Sequence, residues 1–161
     1  MARKIRISFE KHNVSAVAEL LDDAAPLTAE AFWNALPLSG DAYHAKWANN
    51  EVYILTPPFA EKDPDRENAT VFPIPGDILY LPVPPGTKVP TEMAAQCRET
   101  GLIDLAIFYG RDNYLLGPDG HMPGNLFATI TEGLTELAEA CQDLWRNGAG
   151  DERMTFSRLD E

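Results

Sequence analysis

Lys4-Ile5-Arg6-Ile7-Ser8-Phe9 alternates charged or polar residues with Ile5, Ile7 and Phe9, the period of a strand with one buried face. Val14 to Leu21 reads as its hairpin partner across Lys11-His12-Asn13, although its alanines weaken the pattern. Outward from this pair, Tyr43 to Trp47 and Glu51 to Thr56 read as two strands joined at Asn49-Asn50. Asparagine tolerates the positive φ that a tight turn needs. Further strands are expected at Val71 to Phe72, Ile78 to Leu81 and Asp104 to Tyr109, with Pro75-Gly76-Asp77 as a turn before the second. Arg153 to Leu159 alternates as a closing strand.

Helical signals are fewer. In Pro26-Leu27-Thr28-Ala29-Glu30-Ala31-Phe32-Trp33-Asn34-Ala35-Leu36-Pro37, Thr28 is placed to cap and Leu27 to staple onto Phe32, and Pro37 ends the helix. Leu134, Leu137, Ala138, Cys141, Leu144 and Trp145 recur at helical spacing, and Asn147-Gly148 stops that helix. Thr91 to Thr100, closed by Gly101, is a short helical candidate inside a proline-rich stretch. The stretch 82–103 reads as an insertion, a lid or a contact arm. Pro57 to Arg66, with three prolines, is a surface loop. Many short strands with two substantial helices predict a mainly β, closed or nearly closed sheet in a single domain over 1–161.

Composition agrees with one domain. The chain has 161 residues, 45% apolar and 24% charged, enough to bury roughly 70% of the surface its unfolded form exposes. Thirteen Lys and Arg stand against 25 Asp and Glu, a net charge of −12. Such a charge repels phosphate backbones and anionic lipid, so neither nucleic acid nor membrane is an expected partner. No stretch approaches the ~20 apolar residues of a membrane span, and the basic start lacks the apolar run of a signal peptide. Cys97 and Cys141 lie far apart with no metal-ligand spacing, so a disulfide framework and a zinc site are not expected. These features describe a soluble, acidic, cytoplasmic protein.

Several segments resemble cyclophilins. Leu20-Leu21-Asp22-Asp23-Ala24-Ala25-Pro26-Leu27-Thr28-Ala29-Glu30-Ala31-Phe32 is similar to the strand that runs into a Pro-x-Thr-x-x-Asn-Phe helix, with Ala31 at the Asn position. Ala128-Thr129-Ile130-Thr131-Glu132-Gly133-Leu134 resembles the strand-to-helix junction with its Glu-Gly pair. The middle resembles a divergent bacterial cyclophilin-like family of largely unassigned function. It does so through Trp47-x-x-x-Glu51-x-Tyr53, Glu67-Asn68, Pro75-Gly76-Asp77-Ile78-x-Tyr80-x-Pro82 and Ile107-Phe108-Tyr109-Gly110. The resemblance implies a closed barrel of about eight strands capped by two helices. One departure bears on activity. Prolyl isomerases carry Phe-His-Arg, whose arginine polarises the substrate amide. This chain has Tyr43-His44-Ala45 and no Gln-Gly-Gly motif after it, so efficient prolyl isomerase activity is not expected. The neighbouring Lys46 does not reproduce a planar guanidinium.

The richest polar cluster is His44, Lys46, Glu51 and Tyr53. A two-residue turn pairs Lys46 with Tyr53 and His44 with Leu55 and puts all four on one face. A three-residue turn pairs Trp47 with Glu51 and sends His44 and Lys46 to the other face. In the first register, Glu51 and His44 form a general acid and base with Tyr53 as hydrogen-bond donor. The bland alternative is a solvated polar strand face.

Tyr109-Gly110-Arg111-Asp112-Asn113 follows an apolar strand, and Arg111 offers a bidentate grip on a carboxylate or an ion pair with Asp112 or Glu67. His121 lies in a loop able to close over a site, and Trp47 either lines a pocket or packs. Glu67-Asn68 reads as a turn or strand entry. His44, Glu51 and His121 would make a two-His, one-carboxylate metal set only if the fold joined them, and no metal or other cofactor is expected. The candidate catalytic residues are therefore His44, Glu51 and Tyr53, with Lys46, Trp47, Tyr109, Arg111, Asn113 and His121 as candidate substrate contacts. Together they suggest a small carboxylate-bearing or cyclic-amide metabolite handled by acid/base chemistry. The alternative is a non-catalytic, oligomeric interaction module, and in either reading a homo-oligomer is expected.

Overall fold

The computed structural model describes residues 1–159. The strands are β1 (Lys4–Phe9), β2 (Val14–Leu20), β3 (Leu38–Asp41), β4 (Tyr43–His44), β5 (Glu51–Thr56), β6 (Ala69–Thr70), β7 (Asp77–Val83), β8 (Leu102–Phe108), β9 (Leu116–Gly117), β10 (Gly120–His121), β11 (Gly124–Glu132) and β12 (Arg153–Arg158). The helices are α1 (Pro26–Ala35), α2 (Ala94–Thr100), preceded by a 3-10 turn at Thr91–Met93, and α3 (Leu134–Asn147). The two substantial helices expected are α1 and α3, and the short candidate at Thr91 to Thr100 is the 3-10 turn with α2, ended at Gly101. The strand expected at Val71 to Phe72 lies two residues earlier, as β6.

One antiparallel sheet runs in the order β3-β12-β1-β2-β11-β7-β8-β5-β4, with β6 beside β11, while β9 and β10 form a separate hairpin. The first hairpin is as the alternation predicts: Ile5, Ile7 and Phe9 are buried and pair with Ala18, Ala16 and Val14. The expected mainly β architecture is present as a curled antiparallel sheet, in which no closed barrel is found among the described residues. Its ends approach, since a Cβ on Gly40 of β3 would lie 3.2 Å from Ile54 Cβ of β5, but no ladder joins them among the described residues. Ala42, just past β3, gives its N–H to the Glu152 carbonyl beside β12 at 2.9 Å, so that donor is not available to β5. No described helix is long and apolar enough to cross a membrane.

The concave face holds the main core, in which Phe32 of α1 packs on Phe127 and Phe156 at ring separations of 4.7 and 5.6 Å. Leu137, Ala140, Cys141 and Leu144 bring α3 onto the same core. The convex face of β5, β7 and β8 is covered too. Leu79, Leu81, Ala106 and Phe108 pack with Leu115, while Leu55, Val83 and Leu102 pack with Cys97 of α2. Strands covered on both faces read as near-continuous apolar runs, and Leu102-Ile103-Asp104-Leu105-Ala106-Ile107-Phe108 is such a run with one carboxylate inside it.

Helix α1 is capped from outside its own segment. Leu27 and Thr28 donate their amides to Glu67 at 2.9 and 2.8 Å, and the Thr28 hydroxyl donates to Glu67 Oε2 at 2.7 Å. Thr28 is therefore not the cap, and Leu27, 63% exposed, staples nothing. Glu67 is a trans cap, not simply a turn residue. Burial pushes its carboxyl up, but the bonds from Thr28 and Leu27 outweigh this and hold it below its ordinary range.

Candidate functional site

The β4–β5 register decides which polar side chains meet. Tyr43 pairs with Tyr53 and His44 with Val52, and Ala45 N–H donates to the Glu51 carbonyl at 2.9 Å. Neither expected turn forms, because residues 46–50 make a wider loop held from across the molecule. Asn49, at φ 76°, and Asn50 donate their side-chain amides to the Arg111 carbonyl at 3.2 and 2.8 Å. Asn50 N–H donates to Asn113 Oδ1 at 3.0 Å. Ladder alternation then sends His44 and Val52 to one face and Tyr43, Glu51 and Tyr53 to the other.

His44 faces Tyr109 and α3. Its Nδ1 donates to the Ala45 carbonyl at 2.9 Å, which leaves Nε2 to accept the Tyr109 hydroxyl at 2.7 Å. Burial pushes the imidazole pKa down, the Ala45 bond opposes this, and Lys46 adds to the depression. The Trp145 ring lies 4.8 Å from the His44 ring, and Lys46 Nζ is 5.8 Å from the Trp145 centroid. Burial raises the Tyr109 phenol to about 12. This His44 is neutral with a fixed tautomer, and both ring nitrogens have protein partners.

The opposite face carries two carboxyl groups without cations. Glu51 pairs with Phe108, Tyr53 with Ala106 and Leu55 with Asp104, so Tyr53 lies between Glu51 and Asp104 along the face. Glu51 is 4% exposed. Asp104 Oδ1 is sealed from solvent and has no hydrogen-bond partner. Among the described residues the ion pairs use Asp22, Glu30, Glu19, Asp151, Asp143, Glu152 and Asp41, never Glu51 or Asp104. Burial pushes Glu51 up to about 8, and burial together with the Glu51 charge pushes Asp104 well above its ordinary value. The Tyr53 phenol is raised by burial, then by Asp104 and Glu51. Beside it the Tyr43 ring lies 5.5 Å away, and its hydroxyl donates to Glu92 at 2.5 Å. Glu92 belongs to the 84–101 segment, which covers this face through Val89, Met93 and Cys97.

The other expected contacts are dispersed. Trp47 is 65% exposed, and Lys46 and Arg111 are exposed. Arg111 makes no ion pair among the described residues, with Asp112 or with Glu67. Asn113 donates to the Pro73 and Gly110 carbonyls at 2.9 and 2.8 Å, so its amide holds loops together. His121 is exposed and bonded to the Tyr114 hydroxyl. His44, Glu51 and His121 do not converge, and among the described residues no three His, Cys, Asp or Glu side chains are grouped to hold a metal.

Two arrangements went unread in the sequence. Asp104 had a signal, a lone carboxylate within an apolar run. His12 had none, because its partners are over 130 positions away: Nδ1 lies 2.5 Å from Glu152 and Nε2 2.8 Å from Asp143. Glu152 also accepts the Lys11, His12 and Arg153 amides, each at 2.8 Å. A hollow of about 320 Å³ lies beside His12 and Asp143, and another of about 570 Å³ between α1 and residues 59–64. Neither is lined by Glu51, Tyr53 or Asp104.

Fold and site together define a curled antiparallel-sheet protein with helices on both faces, in which a buried Glu51 and a half-buried Asp104 share a face without cationic partners among the described residues. The chain belongs to the family described as "Protein of unknown function (DUF3830)", whose model matches residues 7–156. No curated protein matches it. Among solved structures it is similar to McbB in complex with tryptophan, at 17% identity and a TM-score of 0.63, over 98% of this chain and 45% of that one. The chain thus spans less than half of McbB. It is also similar to the hypothetical protein AF2241 from Archaeoglobus fulgidus, at 20% identity and a TM-score of 0.53, over 98% of this chain and 95% of that one. At these identities the likeness is one of fold. The resemblance to cyclophilins rests on the sequence motifs alone.

Proposed function

We propose that the protein binds a small molecule on the face formed by Glu51, Tyr53 and Asp104 and acts on it by acid/base chemistry. The observation that carries this reading is a buried Glu51 carboxyl on the same face as Asp104, whose Oδ1 is sealed from solvent, with no cation to balance either among the described residues. Burial of a charge without a partner is costly, and perturbed carboxyl groups of this kind gather at functional sites. In this reading Glu51, kept protonated near neutral pH by its surroundings, is the group that gives up and takes back a proton. Tyr53 supplies a hydrogen bond. Arg111, exposed and without an ion pair among the described residues, is the candidate for holding a substrate carboxylate, whereas Lys46 lies over Trp145 on the His44 side. His44 acts indirectly, by fixing Tyr109 and Trp145. The tryptophan bound to McbB supports a small-molecule role for this fold, as an analogy only.

The test is a protein-observed NMR titration with a fragment set. The expected result is fragments that move the amides of residues 51–55, 92–97 and 104–108 together, an effect lost in Glu51→Gln. Perturbations confined to other surfaces would remove the reading.

A second reading is a non-catalytic, self-associating interaction module. The observation in its favour is the exposed apolar group Phe72, Ile74 and Tyr114, with Phe72 and Tyr114 stacked at 5.1 Å. The two free thiols are in keeping with a cytoplasmic location for either reading.

A further inference from the structure

Residues 84–101 leave the sheet after β7 and rejoin it at β8, and the ladder between those strands ends at the Val83–Leu102 pair. Past that pair the segment bonds mostly to itself. The Thr87 N–H and hydroxyl donate to the Pro84 carbonyl at 3.2 and 2.7 Å, closing a turn with Pro85 second and Gly86, at φ 88°, third. Met93 N–H donates to the Pro90 carbonyl and Gly101 N–H to the Cys97 carbonyl, each at 2.9 Å. The Cys97 thiol lies 3.6 and 3.7 Å from the Pro84 and Thr87 carbonyl oxygens, which joins α2 to that turn. One hydrogen bond crosses from the segment to the rest of the described chain, that of the Tyr43 hydroxyl of β4 to Glu92 at 2.5 Å. No ion pair crosses among the described residues.

The apolar hold is equally narrow. Val89, Met93 and Cys97 pack on Leu55, Val83 and Leu102. Of the first three only Cys97 is fully buried, at 1% exposed, and most of the segment's other residues face solvent. A unit with few buried apolar contacts opens at lower free energy than the sheet beneath it. Gly101 supplies a pivot at one end. It sits at φ 71°, and a Cβ there would lie 2.8 Å from the Val83 carbonyl oxygen. Only glycine fits that closed position and also moves freely out of it.

We infer that residues 84–101 are a lid on the convex face, which lifts as one piece about Gly101 when the Tyr43–Glu92 hydrogen bond breaks. Lifting bares Leu55, Val83, Leu102 and the adjoining side of Tyr53. The lid stands on its own contacts, independent of whether the Glu51 face binds a ligand. Where that face does bind one, the lid controls entry on the Tyr53 side.

The two thiols of the chain report the motion, because Cys97 lies in the lid and Cys141, 0% exposed, in the main core. The full chain is alkylated with iodoacetamide at pH 8 without ligand, and each modified peptide is followed by mass spectrometry. Cys97 is expected to react about tenfold or more faster than Cys141, which waits for global unfolding. Low urea should speed Cys141 steeply and Cys97 little, since lifting the lid exposes little surface. Tyr43→Phe removes the latch hydroxyl and keeps the ring beside Tyr53. It should speed Cys97 about tenfold, the margin of a hydrogen bond to a charged acceptor, and leave Cys141 unchanged. Equal rates and equal urea dependence for the two thiols would overturn the lid. A Cys97 rate indifferent to Tyr43→Phe, or both thiols sped alike, would overturn the latch on which the inference rests. A failed fragment titration would remove the Glu51 reading and leave these rates as they are.

Discussion

Glu51 and Asp104 lie on one face of the β5–β8 ladder with the Tyr53–Ala106 pair between them, and neither has a cationic partner among the described residues. Both carboxyl groups titrate above their ordinary range, first because they are buried. A carboxyl whose folded pKa is raised favours the folded state below its unfolded value near 4.5, and that contribution is lost as pH rises toward about 8. Stability should therefore fall across this window. Glu51→Gln should flatten the fall and leave the variant more stable than the parent at pH 8 by roughly 1–3 kcal/mol, the cost of an unsatisfied buried group. Urea unfolding at pH 5 and pH 8 measures both terms, and a variant less stable at each pH would refute the assignment.

His12 and Glu152 follow a different course. The Glu152 bond raises the His12 pKa, while the bonds to Glu152 outweigh its burial and lower its own. The histidine's contribution is present below its unfolded value near 6.5 and lost as pH climbs through the raised value. That of Glu152 is present above about 4.5 and lost as pH falls. The pair should contribute most between those limits. Glu152→Gln is expected to cost roughly 3 kcal/mol near pH 6 and less at pH 9, as read from thermal unfolding at the two pH values.

Removing the trans cap of α1 should cost as much as losing a local one. Glu67→Ala leaves the Leu27 and Thr28 amides without their acceptor, for which roughly 1–2 kcal/mol is expected. Hydrogen exchange should speed up first in the opening turn of α1. A uniform change across the domain would argue against a capping role.

The His44–Trp145 contact offers an optical readout. With the Trp33→Phe and Trp47→Phe substitutions in place, Trp145 fluorescence should be quenched as His44 becomes protonated. Burial depresses that pKa, so the midpoint should fall below 6.5, and it should vanish in His44→Phe. A midpoint at or above 6.5 would contradict the buried, neutral imidazole. A folded pKa below the unfolded one also means that this group weakens the fold as pH falls below 6.5.

The local pattern of side chains by itself determined much of this protein. Alternation in Lys4–Phe9 was enough to define a strand and its hairpin, because burial of one face acts residue by residue. The i, i+3, i+4 spacing from Leu134 onward likewise defined α3. The net charge of −12 made nucleic acid an unexpected partner. What only the tertiary structure decided was which distant residues meet. The 46–50 loop is set by Arg111 and Asn113 rather than by its own turn residues, and that register put His44 and Glu51 on opposite faces. Asp104 comes to share a face with Glu51 only once β5 and β8 pair. Glu67 becomes a cap, and His12 an ion-pair partner, only when chain folding brings in Thr28 and Glu152. Short-range preferences are written along the chain, whereas register and pairing depend on the balance of contacts over the whole sheet.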